Sequence, residues 1–196
     1  MADPRLAELV GRFGRLPEAK RTRGRPTDPY GALVRAVVGQ QLSVKAAATI
    51  HGRVAGLYGD RTPTPAELLA TEGQKLRDAG LSWRKVEYLK DLAGRVESGE
   101  LELDRFGELS DTEVVAEITA VKGFGVWTAE VFLLLHLRRP DVLIAGDLGI
   151  RQAVKSLYGL DELPGREELE RIAEPWRPHR SLACLYLWES LGNAPG

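Results

Sequence analysis

The chain has 196 residues, 43% of them hydrophobic and 28% charged, and a formal net charge of −1. That mixture excludes a disordered or fibrous chain and is long enough for a sizeable core. Apolar runs as short as Val131–Leu135 exclude a membrane-spanning helix, and a single cysteine, Cys184, excludes an internal disulfide and a zinc centre built on thiolates.

The three histidines, His51, His136 and His179, show no metal-ligand spacing. The charged start MADPRLAELVGRFGR lacks the apolar segment of a secretion signal, so a cytoplasmic location is expected. The near-neutral total hides local bias. Lys20, Arg21, Arg23 and Arg25 form a basic run, Arg177, His179 and Arg180 form another, and acids gather at Asp161-Glu162 and Glu167-Glu168. Charge therefore neither demands nor excludes nucleic acid; any affinity must come from a local surface.

In chain order, residues 1–26 read as a helical and basic extension. Thr27-Asp28-Pro29 is a helix start with proline in the first turn, ahead of Tyr30 to Gly39. Ser43 caps a second helix, VKAAATIHGRVAGLYG, with Val44, Ala47, Ala48, Ile50, Val54 and Leu57 on one apolar side. Thr64-Pro65 opens a short helix through Leu69. Trp83 to Val96 carries Val86, Leu89, Leu92, Ala93 and Val96 at helical spacing. Ser110 with Glu113 forms a capping box ahead of Val114 to Thr119. Further helices are expected over 126–138, 148–158, 166–173 and 179–191. No sustained alternation of apolar and polar residues signals strands. The fold class is all-α, in a single domain over 1–196.

The stretch AVKGFGVWTAEVF, residues 120–132, reads as a helix end, a glycine turn and a new helix start. Gly123 and Gly125 permit backbone angles that other residues resist and let a partner approach the main chain. Phe124 between them is expected to tuck inward. The helix beginning near Val126 presents unpaired amides, which suit a phosphate.

VKGFGVWTAEVFLLL resembles the hairpin of the helix-hairpin-helix DNA glycosylase superfamily, usually read as L-P-G-(apolar)-G-x-x-T-A, with Lys122 in place of the common proline. The resemblance continues in DPYGALVRAVVGQQLSVKAAATI, LRDAGLSWRKVEYLKDLA, DVLIAGDLGIRQAV and EPWRPHRSLACLYLW, in the family's order over residues 27–191. The last of these is similar to the alkyladenine (3-methyladenine) branch, in a short form without an N-terminal β domain. The resemblance implies two helical lobes around a cleft, and an enzyme that flips a damaged base out of duplex DNA and hydrolyses its N-glycosidic bond.

Residue by residue, the resemblance assigns Asp147 as the carboxylate that stabilises the oxocarbenium-like sugar. Read locally, Asp147 is an N-cap residue, and the two roles are compatible. Asp141 is the competing carboxylate. Trp127 occupies the position where relatives with lyase activity carry a nucleophilic lysine, which implies a monofunctional enzyme with water as nucleophile. Trp127, Trp176, Tyr30 and Val131 are expected to line the base pocket, with Trp188 in the core. Gln40, Gln41, Leu42 and Ser43 form a junction that enters the minor groove, with Gln41 filling the gap left by the flipped nucleotide. Main-chain carbonyls of Thr119, Val121 and Phe124 would hold a monovalent cation, Na⁺ or K⁺, and amides of Gly123, Gly125 and Thr128 would meet a phosphate. Four cysteines would be needed for the iron–sulfur cluster of another branch, so none is expected. The implied partner is double-stranded DNA with alkylated bases, bound by a monomer associated with the nucleoid. A non-catalytic hairpin DNA binder, a glycosylase for oxidised bases or uracil, and a helix-turn-helix regulator are the alternatives.

Overall fold

The computed structural model describes residues 3–17 and 28–192, and among these every regular element is a helix. The basic run from Lys20 to Arg25, and Thr27, lie outside the described residues. In chain order the α-helices are α1 (Pro4–Phe13), α2 (Pro29–Gly39), α3 (Val44–Gly56), α4 (Pro65–Ala70), α5 (Gly73–Asp78), α6 (Trp83–Glu97), α7 (Asp111–Thr119), α8 (Val126–Leu135), α9 (Leu148–Tyr158), α10 (Arg166–Ile172) and α11 (Arg180–Ser190). Short 3₁₀ turns cover Leu103–Gly107 and Glu174–Trp176. Among the described residues no helix is long and apolar enough to cross a membrane.

The chain divides into two compact units, one of Arg25–Phe132 and one of Met1–Gly24 with Leu133–Pro195. In the first, α2 begins where Asp28 accepts the Gly31 amide ahead of Pro29. It buries Leu33, Val34, Val37 and Val38. Its partner α6 starts at Ser82, whose hydroxyl accepts the Lys85 amide, and buries Val86, Leu89, Leu92 and Ala93. α4 and α7 each open with a reciprocal capping box, Thr64 with Glu67 and Ser110 with Glu113. Phe106 meets Phe132 edge-on, with ring centroids 5.9 Å apart.

Two expectations about the helices need correction. The apolar side read along α3 is not a buried stripe: Val54 is buried, Ala47 and Ile50 are half-buried, and Ala48 and Leu57 face solvent. The spacing of small apolar residues fits a helix, but alanines contribute too little area to demand a cover. α8 stops at Leu135 rather than 138, because Arg138 turns left-handed (φ 55°) and the Arg139 amide reaches back to the Leu133 carbonyl at 3.0 Å.

The second unit gathers α1, α9, α10 and α11. The N-terminal segment is not an appendage to it. Asp3 caps α1 through the Arg5 and Leu6 amides, both at 3.0 Å. Its other oxygen accepts hydrogen bonds from the Tyr158 hydroxyl and from Trp176 Nε1 (3.3 Å). The Tyr186 hydroxyl donates to the Gly14 carbonyl at 2.7 Å. Burial pushes the Asp3 carboxyl up, but the bonds from Tyr158, Leu6, Trp176 and Arg5 outweigh it and hold its pKa below the usual carboxylate range.

Candidate active site

The segment from Arg139 to Asp147 carries no helix, so many of its polar groups need partners from elsewhere. α11 supplies them. The Ser181 hydroxyl donates to the Arg139 carbonyl at 2.6 Å and accepts the Val142 amide at 2.9 Å. Arg180 Nε and Nη2 grip the Asp141 carboxylate at 2.7 and 3.0 Å, and Arg177 adds a contact at 2.8 Å. Burial raises the Asp141 pKa, yet Arg180 and Arg177 bring it below the ordinary range. A carboxylate shared by two guanidiniums is a structural clamp, which removes Asp141 as a rival to Asp147. It also means that Arg177 and Arg180, read as a local basic surface, are largely neutralised by Asp141 and Glu174.

The segment ends at Asp147, whose amide closes a turn on the Ile144 carbonyl and whose side chain caps α9. Oδ1 accepts the Ile150 amide at 2.8 Å and Trp188 Nε1 at 2.9 Å. Both bonds land on one oxygen, so the carboxyl plane is set by a helix terminus and an indole together. Gly149 makes this contact possible: a Cβ there would lie 3.0 Å from Asp147 Oδ1 and 3.5 Å from Trp188 Cδ1. Asp147 is 9% exposed, and the residue after it, Leu148, is an apolar side chain 64% exposed. Trp188 is buried, as read from its apolar helix, but it also holds Asp147 across 41 positions of sequence. That pairing was missed; Gly149, set two residues after the carboxylate, was its one local sign.

In the other unit the hairpin takes the expected form. The Phe124 amide returns to the Val121 carbonyl at 3.2 Å, and Gly123 has φ 79°. Phe124 and Val121 are buried, so the apolar residue between the glycines does tuck inward. A Cβ on Gly123 would lie 2.2 Å from the Tyr88 ring, so glycine is required twice, for its dihedral and for its neighbour. Lys122 departs from proline with a reason: its backbone N–H donates to Asp91 Oδ2 at 2.9 Å, and its ammonium pairs with Glu87 at 2.9 Å. Gly125 is open on its Cβ side, and Val126 and Trp127 stand out at the start of α8, Trp127 at 38% exposure. The Thr128 amide is different. It already donates to the Gly125 carbonyl at 2.9 Å, and the residue is buried, so its assignment to a phosphate is corrected.

Gln40 caps α2, Gln41 is left-handed (φ 56°), Leu42 is exposed, and Ser43 caps α3 through the Ala46 amide at 3.3 Å. Tyr30 and Val131 are buried. Burial pushes the Tyr30 hydroxyl far up, and that hydroxyl has no hydrogen-bond partner. Trp176 is 1% exposed, with its indole N–H on Asp3 and the Tyr158 hydroxyl. Its expected place in a base pocket is corrected: a ring enclosed this way has no face to offer, and it anchors α1 instead.

Among the described residues every regular element is a helix, with a glycine hairpin in one unit and a carboxylate fixed at a helix N-terminus in the other. Residues 34–178 match the family described as HhH-GPD superfamily base excision DNA repair protein, and the chain belongs to that superfamily. It is 35% identical over 190 residues to DNA-3-methyladenine glycosylase 1 of Schizosaccharomyces pombe, covering 95% of this chain and 80% of that protein. It is 32% identical to DNA-3-methyladenine glycosylase 2 of Escherichia coli, over 94% of this chain and 66% of that one. Among solved structures it superposes on the S. pombe 3-methyladenine DNA glycosylase Mag1 in complex with abasic DNA with a TM-score of 0.87 and 33% identity, covering 99% of this chain and 94% of that one. A DNA-3-methyladenine glycosidase of Bacillus halodurans gives a TM-score of 0.83 at 39% identity, covering 97% and 86%.

Proposed function

We propose that the protein is a monofunctional DNA N-glycosylase that removes alkylated purines, of the 3-methyladenine and 7-methylguanine type, from double-stranded DNA. The observation that carries this reading is the Asp147 carboxylate, held by the Ile150 amide and the Trp188 indole at the start of α9. A module that only grips phosphate needs no carboxylate beside the sugar, whereas breaking the N-glycosidic bond does. As the bond between C1′ and the base nitrogen lengthens, positive charge grows on the sugar, and an oriented anion stabilises it without reorganising. Water adds to C1′ and loses a proton, the base leaves with the bonding electrons, and an abasic site remains.

Trp127 supports the rest. Its indole cannot form a Schiff base, and its exposed face suits a purine carrying positive charge. The extruded base needs its pairing broken first, which favours lesions that weaken the pair. The hairpin also suits a cation: Thr119 ends α7, where carbonyls lack intrahelical partners and the dipole is negative, and the carbonyls of Val121 and Phe124 lie in the following turn. Na⁺ or K⁺ held there would help to bind a phosphate and takes no part in the chemistry.

The test is Asp147→Asn on methylated duplex. Asparagine caps a helix well, so the fold survives, and release of 3-methyladenine and 7-methylguanine, followed by mass spectrometry, is expected to fall by about a thousandfold. Near-normal release would remove Asp147 from the chemistry. Borohydride added to the wild-type reaction is expected to trap no covalent complex; a trapped complex would overturn the monofunctional assignment.

A further inference from the structure

Gln40 ends α2 with φ −51° and ψ 130°, Gln41 follows with φ 56°, and the Leu42 amide returns to the Gly39 carbonyl at 3.2 Å. These are the angles of a type II turn, whose third position normally belongs to glycine. A side chain in the left-handed region is unfavourable and persists only when its surroundings hold it there. The structure shows a holder. Gln40 Nε2 donates to the Gly123 carbonyl at 2.8 Å, across 83 positions of sequence.

The acceptor is itself fixed. Tyr88 presses against the Gly123 Cα, and Asp91 holds the Lys122 amide. The same helix, α6, also holds the last turn of α2 from which the other loop leaves, because Lys85 Nζ donates to the Val38 carbonyl at 2.8 Å. Lys85, Tyr88 and Asp91 lie at three-residue intervals on one side of α6.

We propose that Gln40 is a positioning residue whose side-chain amide locks the Gln41–Leu42 turn to the glycine hairpin, so that the loop that enters the duplex and the loop that grips the strand move as one. This rests on the glycosylase reading for its consequence but not for its geometry. Gln40 thus acts on the hairpin rather than on the minor groove, and Gln41 and Leu42 are left to enter the DNA.

The test uses Gln40→Met, which keeps length and loses the donor, and Gln40→Glu, which sets an acceptor against the Gly123 carbonyl. Amide hydrogen exchange of the free, full-length protein is expected to quicken in both 39–43 and 121–125 for both variants, with the melting temperature within about 3 °C of wild type. Affinity for an abasic-site duplex is expected to weaken about three- to tenfold, the scale of one hydrogen bond. Exchange unchanged in 121–125 would refute the lock. Faster exchange with unchanged duplex affinity would refute the positioning role. A wild-type protein that releases no base from methylated DNA would refute the glycosylase reading, while the exchange result still decides the lock.

Discussion

Replacing Trp188 by phenylalanine removes the indole N–H and, because Trp188 is fully buried, part of its packing as well. The indole nitrogen lies 2.9 Å from Asp147 Oδ1 and shares that oxygen with the Ile150 amide at 2.8 Å. In Trp188→Phe the carboxylate keeps its helix cap and loses its second anchor. A hydrogen bond to an ionised group contributes ~1.5–3 kcal/mol, and in a 196-residue chain that lowers the melting point by about 3–12 °C. The rate loss arises separately. A carboxylate that has lost the indole bond is held less firmly and spends less time facing the sugar, and a misplacement of about 1 Å costs on the order of a hundredfold. Single-turnover release of 3-methyladenine is therefore expected to slow by about 10- to 100-fold, a barrier rise of ~1.4–2.7 kcal/mol. Quenched time courses at 25 °C on methylated duplex measure this, with circular dichroism as the check on folding. A folded Trp188→Phe protein within twofold of the wild-type rate would show that Asp147 needs no orientation by the indole.

Three further outcomes are expected. Lys122→Pro gains a preset φ at the second position of its turn and loses the N–H that Asp91 accepts, so melting is expected to stay within about 1 kcal/mol of wild type; a loss above ~3 kcal/mol would mean that the Asp91 bond governs the hairpin. Asp3→Ala strips a helix cap and the acceptor for Tyr158 and Trp176, for a loss of ~2–4 kcal/mol in chemical denaturation; a smaller change than 1 kcal/mol would contradict the buried network. His51 is held below the ordinary imidazole range by burial and then by the charge of Arg35, so the unfolded chain binds that proton more readily than the fold. Its contribution is complete above the unfolded value of ~6.5 and is lost as pH falls from there through the lower folded value. Melting temperature should drop between pH 7.5 and 5 more steeply in wild type than in His51→Gln, and equal slopes would refute the assignment.

Most helices and their caps were legible because caps are local: Ser110 with Glu113, Ser43, and Asp28 before Pro29 all act within three residues. The hairpin was legible for the same reason. α5 and the two 3₁₀ turns were not, since three to six residues are too few to show a period. The long-range bonds could not be read at all. Trp176 is expected in the base pocket and Trp188 in the core, yet one joins Asp3 at a separation of 173 residues and the other joins Asp147 at 41. Which indole reaches which carboxylate depends on how α11 and its preceding turn dock, and spacing along the chain carries no trace of that. Thr128 was misassigned because the exact start of α8 decides whether an amide points outward or back to Gly125.

The Asp141 clamp bears on how the molecule meets its target. Two arginines that might have formed a cationic landing strip are neutralised within the fold by Asp141 and Glu174, on a chain already close to zero charge. Arg177 and Arg180 therefore add little long-range attraction for a polyanion, and any electrostatic steering rests on cations elsewhere in the chain.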